Sequence, residues 1–520
     1  MKFSRPLFLR ELRVSGSPAL LQPIDVGTQY NKSVEALQME INQRMLTVRR
    51  KSLSALAAIL VCSPWFSARA QQPGAPAVRQ FTVQQAVDYA LTNYPAVRAA
   101  MEQYNASKAG VGLAKTAYIP RLDTVWQGDR GSRESVLGVL LPQSPNILTG
   151  TQGSVTPHAY RPFWTSGAGV LLSWEPFDFG FRRSQVRSAQ VTESRVGEQV
   201  ELTKLGVATA VAEASLAVLA GEQRVNASVA DVNRREVFAR SVHALVDAHL
   251  RPGADASRAE AELAAARTRL ILAQRDDEVN RGALAALLGL AGTTVEIETG
   301  PFLEVPPDRT WAETPLAHHP AAITQERRIQ EANARISVLN HSFYPHFTTE
   351  GLLSARGSGE TSTGEVKQWP SGMGFDVYNW EAGVTASLDL TSIVPIQQRK
   401  KIEVANRRRE EAAYAQTMQV LTGQQQQALA ELNGARRVAQ NTPTELEASR
   451  QSEAQALARF HAGLGTIVDV AEAQSLLVQA EMDDSLARLS IWRALAGLAS
   501  AQGDLTPFLT TVNSMPAGGH

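Results

Sequence analysis

Shifted by 214 positions, the sequence matches itself. Ala168-Gly169-Val170 falls on Ala382-Gly383-Val384, Ser173 on Ser387, Asp255 on Asp469, Ala259 on Ala473 and Leu263 on Leu477. Leu284, Ala285 and Gly289 fall on Leu498, Ala499 and Gly503. Chance often pairs Ala with Ala or Leu with Leu in such a chain. One register held through Gly, Ser and Asp for more than a hundred residues instead requires two copies of one structural unit without an insertion. Each element found in one half therefore has a counterpart in the other.

The unit opens on a helix. Phe81-Thr82-Val83 leads into residues 84–118, where Ala86, Ala90, Val97 and Met101 recur at helical spacing until Pro120 stops the pattern. The second copy runs from Pro315 to Tyr344 and stops at Pro345. Pro95 and Pro120 are 25 residues apart, as are Pro320 and Pro345, at an offset of 225, so the first copy carries 11 extra residues between Pro120 and Ala168.

That interval reads as a hairpin with a long tip. Leu122, Thr124 and Trp126 alternate with Asp123, Val125 and Gln127; a Gly/Ser/Pro-rich loop spans 128–162; Trp164 to Trp174 is the second strand. In its counterpart, Tyr378, Trp380, Ala382, Val384, Ala386, Leu388 and Leu390 fall on one face, with Asn379, Glu381, Gly383, Thr385, Ser387 and Asp389 on the other. A soluble antiparallel sheet with one wet face gives the same alternation. Trp164 and Trp174, however, lie ten residues apart on one face, close to the length of a membrane-spanning strand of about 9–11 residues with aromatic girdles. Trp164, Trp174, Tyr378 and Trp380 are on that reading the membrane-interface aromatics.

A long helical segment follows each strand. From Gly180 to His249 there is no proline, and Val200, Val207, Val211, Ala214, Val218, Gly221, Val225, Val229 and Val232 keep coiled-coil spacing. Arg251-Pro252-Gly253 breaks it, and Ala254 to Leu290 returns as an Ala/Leu-rich helix. The second copy runs from Ile396 to His461, with a kink expected at Pro443, turns at Ala462-Gly463-Leu464-Gly465 and returns through Gly503. A helix of about 70 residues spans roughly 105 Å, so each long helix needs two shorter partners end to end. Four strands leave open edges, which lipid does not tolerate. The smallest closed barrels have about eight strands, so a membrane reading requires several chains.

Composition places the chain outside several classes. Of 520 residues, 44% are hydrophobic and the formal net charge is zero, which points away from nucleic acid. Residues 1–70 hold ten Lys/Arg against four Asp/Glu, so the remainder, with 41 against 47, is mildly acidic. Met45 opens a secretory signal over 45–70: Arg49, Arg50 and Lys51 are its basic region, Leu53 to Phe66 its apolar region, and Ala68-Arg69-Ala70 its cleavage site. Residues 1–44 read as an upstream extension, and Gln71 as the first mature residue. The only cysteine, Cys62, lies inside the signal, which leaves no thiol or disulfide chemistry in the mature chain.

No enzymatic constellation emerges, and no cofactor or metal is expected. His318-His319 beside Pro320, and His341 with His346 near a helix end, lack zinc-ligand spacing and read as surface or capping residues. No phosphate-binding glycine loop follows a strand. The run from Arg399 to Arg409 is interleaved with Glu403 and followed by Glu410 and Glu411, as on a solvated helix face.

Taken together, Phe81-Thr82-Val83-Gln84-Gln85-Ala86, Asn93-Tyr94-Pro95, the paired repeats, Leu287-Leu288-Gly289-Leu290, and the turn Phe460-His461-Ala462-Gly463-Leu464 before Thr466-Ile467-Val468-Asp469-Val470 resemble the TolC-type outer-membrane efflux protein family over 71–505. The resemblance implies a mainly α fold with a transmembrane β part. A helix, β-hairpin, long helix and helix would occupy 71–290 and again 315–505, with an inter-repeat linker over 291–314 and a tail over 506–520. It further implies a homotrimer with a 12-stranded barrel in the outer membrane of a Gram-negative bacterium and a 12-helix periplasmic tunnel. Such a protein is not an enzyme but the exit duct for small molecules of an inner-membrane pump, of RND or ABC type, joined through a periplasmic adaptor. A type I protein secretion channel uses the same parts, and a soluble periplasmic coiled-coil scaffold is the alternative of another class. Asp469 and Glu472 match the family's acidic entrance positions, with Asp255 the first-repeat counterpart. Arg251-Pro252-Gly253 and Gly463-Leu464-Gly465 match its adaptor-docking turns, and Gly465 stands where closed members place a basic latch.

Overall fold

The computed structural model describes residues 78–131, 162–307, 315–361 and 365–515, all within the unit Ala75–His520. The upstream extension, the signal with Cys62, Gln71, most of the 128–162 loop, part of the 291–314 linker and the last five residues lie outside the described residues.

The helical pattern over 84–118 is two helices. A capping box of Thr82 and Gln85 starts α1 (Val83–Asn93), and Pro95, with no N–H to donate, holds Tyr94 at ψ 129° and opens α2 (Pro95–Thr116). Val97 is buried as expected, whereas Met101 is exposed. The matching proline opens the matching helix: α5 runs Pro320–His341, and the residues before it, Leu316–His318, form one 3-10 turn. Ahead of α1, β1 (Arg79–Phe81) pairs in parallel with β4 (Val295–Ile297), so the stretch between the repeats is tied to the start of the first.

The two hairpins join into one antiparallel sheet in the order β2-β3-β5-β6, with β2 Arg121–Gly131, β3 Phe163–Phe177, β5 His346–Ser358 and β6 Val377–Ser387. Leu122 faces Leu172, Val170 faces Leu353, and Leu353 faces Trp380. This register places one apolar face across all four strands, with Leu122, Trp126, Leu172, Trp174, Leu353, Tyr378, Trp380 and Val384 exposed on it. The sheet is open, and β2 and β6 are its edges. β6 stops before the expected Leu390 because the Asp389 carboxylate accepts from the Thr391 and Ser392 backbone N–H groups and turns the chain into the next helix.

The two long helices, α3 (Phe181–Asp247, 67 residues) and α6 (Ile393–His461, 69 residues), each run about 100 Å. Nearer the sheet the neighbours are ordered α2-α3-α5-α6; beyond it, α4 (Gly253–Leu287) and α7 (Ile467–Gln502) replace α2 and α5 beside them. Because α2 has only 22 residues and α4 only 35, they do not cover α3 by themselves, and α1 also packs on it. Pro443 lies inside α6 without ending it.

The apolar stripe of α3 is buried at Val200, Val207, Val211, Val218 and Gly221, but Val229 is exposed; further along, the buried positions are Ser228, Asp231, Arg235 and Phe238. A straight helix drifts against a seven-residue repeat, so the buried face leaves the valine register. The main core gathers where the repeats meet, around the fully buried Trp492, whose Nε1–H donates to the Glu304 carbonyl at 3.0 Å. The stretch expected as a tail forms α8 (Thr506–Ser514) and places Phe508 in this core.

Candidate functional site: the paired helix turns

The turns at the far end of the two helical hairpins are built alike. After α3, the Leu250 N–H donates to the Leu245 carbonyl at 2.9 Å; after α6, at the same repeat positions, the Leu464 N–H donates to Arg459 at 2.9 Å. The residue before each is left-handed, His249 at φ 57° and Gly463 at φ 75°. The leucines that follow are exposed, Leu250 by 70% and Leu464 by 75%, so each turn ends in an apolar tip. Pro252 and Gly253, expected at the same end, start α4 and are exposed.

Arg251 joins the two turns. Its guanidinium lies 4.4 Å from the Phe460 ring centroid and donates to the carbonyls of Phe460 at 3.0 Å and Gly465 at 3.4 Å. Phe460 is buried under it against Phe238, in a cluster with Val242, Ala259, Ile467 and Val470. A side chain at 465 has little room, because a Cβ there would stand 3.2 Å from the Phe460 nitrogen. The basic group at this junction therefore comes from the other repeat.

Two of the three predicted carboxylates open helices. Asp469 is the third residue of a capping box: its carboxylate accepts from the Thr466 N–H at 2.9 Å, and its own N–H donates to the Thr466 hydroxyl at 3.3 Å. The Thr466 N–H, then its hydroxyl, and the charge of Arg459 hold this exposed carboxyl below its ordinary range. Asp255 lies in the first turn of α4 and is half-buried. Both acids suit the positive end of a helix dipole. Glu472 follows Asp469 by one turn of α7 and is exposed.

Sequence reading missed a second cluster closer to the core. Asp231 and Arg235, 2% and 3% exposed, pair within α3 at 2.7 Å. Arg235 also reaches Glu262 of α4 and the Ser475 hydroxyl of α7, and Asp231 accepts from Arg269 of α4. Beside it, Arg234 forms a two-pronged pair with Glu481 of α7. The available signal was an Asp and an Arg four residues apart in step with the buried positions Ser228 and Phe238 of α3. Among the described residues, no group of three or more His, Cys, Asp and Glu could hold a metal. His319 caps α5: Nδ1 accepts from the Ala321 N–H at 3.1 Å, which leaves Nε2–H to donate to the Ser500 carbonyl at 3.3 Å.

At the sheet end, Trp174, Tyr378 and Trp380 are exposed on the apolar face. Trp164 instead lies 5.3 Å from Trp369 in an edge-to-face contact.

Two stretches of the chain, residues 86–290 and 311–504, match the model of the outer membrane efflux protein family. The pyoverdine export outer membrane protein OpmQ of Pseudomonas putida is 27% identical over 352 residues, 65% of this chain and 70% of OpmQ. The fold is similar to the outer membrane channel CmeC of Campylobacter jejuni, with a TM-score of 0.64 and 17% identity over 83% of this chain and 89% of CmeC. It is similar also to the outer membrane protein VceC of Vibrio cholerae, with a TM-score of 0.64 and 15% identity over 81% of this chain and 96% of VceC. The chain belongs to the outer membrane efflux protein family, and is an outer-membrane protein of a Gram-negative bacterium with a large periplasmic part.

Proposed function

We propose that this protein is the exit duct of a tripartite efflux system: a homotrimer whose three four-stranded sheets close into a 12-stranded barrel and whose helices continue as a periplasmic tunnel. The observation that carries this reading is the open sheet, apolar and exposed across all four strands on one face and unpaired at β2 and β6. In lipid those edges must be paired, and further copies of the same sheet supply matching edges. The conduit is passive, and the exported solute is a small molecule delivered by an inner-membrane pump through a periplasmic adaptor docked at Leu250 to Gly253 and Gly463 to Gly465. OpmQ, named for pyoverdine export, supports small-molecule export over protein secretion. Around a threefold axis, Asp469 and Glu472, with Asp255 beside them, form an acidic ring at the entrance that favours cations.

Conductance of the purified mature protein in a planar lipid bilayer tests this, with wild type beside the double variant Asp469→Ala/Glu472→Ala. Discrete steps whose size and cation preference change in the variant are expected. Steps indifferent to the change would remove the entrance assignment, and well-folded protein of both forms giving no steps would overturn the channel reading.

A further inference from the structure

We propose that the helices just beneath the sheet carry a cationic collar that binds the anionic phosphate headgroups of phospholipids in the periplasmic leaflet of the outer membrane. The inference rests on the membrane reading above. A hollow of about 740 Å³ is lined from all four helices nearest the sheet, by Ser107 of α2, Gln185 and Ser188 of α3, Val338 of α5, and Arg399 and Ile402 of α6 among others. A hollow reached by four helices lying side by side marks their concave face, which in a closed tunnel is the lumen. Arg183 and Arg187 lie half a turn around α3 from Gln185 and Ser188, and Lys401 lies two residues on from Arg399, roughly 200° around α6. These three cations therefore look outward. Lys115 stands on the flank of the last turn of α2.

At about 1.5 Å per residue, the four cations lie within roughly 12 Å of the helix ends that meet the sheet. All four are exposed, and among the described residues none of their side chains has a hydrogen-bond or ion-pair partner. Arg183 and Arg187 are also like charges at i and i+4, an arrangement that costs helix stability when nothing anionic lies against it. The carboxylates at these junctions are committed elsewhere: Glu175 to His346, Asp178 to Arg182, and Asp389 to the backbone that starts α6. Immediately above stand the exposed side chains of Ile119, Phe177, Leu390 and Val394, which continue the apolar face of the sheet. An apolar band bordered by unpartnered Lys and Arg matches the boundary between acyl chains and phosphates, where long cationic side chains reach the headgroups.

The test uses the full mature protein reconstituted in phosphatidylcholine, with dibrominated phosphatidylglycerol or dibrominated phosphatidylcholine as quencher of tryptophan fluorescence. The ratio of the two lipid binding constants is the readout. Each cation close to an anionic surface strengthens binding by about fivefold. A ratio well above one is expected for the wild type at low salt, collapsing toward one at high salt. In Lys115→Gln/Arg183→Gln/Arg187→Gln/Lys401→Gln the ratio should fall at least about tenfold, with quenching by the zwitterionic lipid unchanged. A wild-type ratio of one, as expected if the cations serve an acidic periplasmic protein, or a ratio that survives the four changes, overturns the collar. Absence of quenching by either lipid is a different failure, that of the membrane reading itself.

Discussion

Arg251 and Gly465 occupy the same position of the two repeats, 214 residues apart, and the guanidinium of the first donates to the carbonyl of the second at 3.4 Å. Duplication placed a basic residue and a glycine at equivalent sites, and the fold brings them into contact. A hydrogen bond from a charged donor is worth about 1.5–3 kcal/mol, the lower end applying to a half-buried group such as this one. In the proposed duct, where this bond joins the two turns at the entrance, Arg251→Ala should loosen the entrance by about 1.4 kcal/mol, tenfold in an equilibrium between a closed and an open form. Open probability in single-channel records checks this. Arg251→Lys, which loses the flat guanidinium over the Phe460 ring, should fall between the two.

Moving the basic group to the second repeat should not rescue that variant. A Cβ at 465 would stand 3.2 Å from the Phe460 nitrogen and 3.3 Å from Arg459 Cβ. Gly465→Ala and Gly465→Arg should each cost about 1 kcal/mol or more through overpacking, read as a lower midpoint of thermal unfolding. Unchanged midpoints in both would contradict the close packing of this turn.

Stability should decline on mild acidification through His319. Burial pushes its imidazole below the ordinary value of 6.5, against the weaker upward pull of the Ser500 carbonyl, so the folded chain holds this ring neutral. The unfolded chain takes up the proton first as pH falls. The stability is thus fully present above about pH 6.5 and is lost as pH drops toward the lower folded value. His319→Asn, which keeps a side-chain cap, should flatten the dependence of the thermal midpoint on pH between about 7 and 5.

Asp469 should respond only at much lower pH. Held below 3.8 by Thr466, it stays ionised on acidification until below that value, and its share of cation preference persists with it. Reversal potentials in a salt gradient, recorded at descending pH, check this. Thr466→Val removes the hydroxyl and should move the loss of Asp469's contribution to higher pH.

The buried pair Asp231 and Arg235 gives the largest expected effect. Removing one partner, as in Arg235→Ala, leaves the Asp231 carboxylate, 2% exposed, with only the half-exposed Arg269 to answer it and should cost about 3 kcal/mol, the lower end for a broken buried pair. Asp231→Leu/Arg235→Leu together should cost far less, a contrast that denaturant midpoints resolve.

Much of this architecture was legible in the chain. The offset register announced the duplication, proline spacing paired the region of α2 with that of α5, and alternation located β6. Less legible was whatever depends on contacts between distant segments. The Gln84-to-Tyr118 pattern reads as one helix because Ala86, Ala90 and Val97 keep a common spacing, and only the missing N–H of Pro95 divides it. Asp469 entered by resemblance, as a match to the family's acidic entrance positions, and its capping box with Thr466, though local in sequence, was not read. Arg251 was not recognised as a bridge, because its partner carbonyls belong to backbone more than two hundred residues away and carry no side-chain signature.

The unpaired edges of β2 and β6 have a consequence for how the protein is made. They belong to different repeats, so the proposed ring of copies joins the second repeat of one chain to the first of the next, and among the described residues of a lone chain neither edge has a partner. Insertion into lipid and association are then a single event, dependent on chain concentration, and an isolated subunit in the periplasm is an aggregation hazard. Delivery of such a chain has to keep both edges covered until its neighbours arrive.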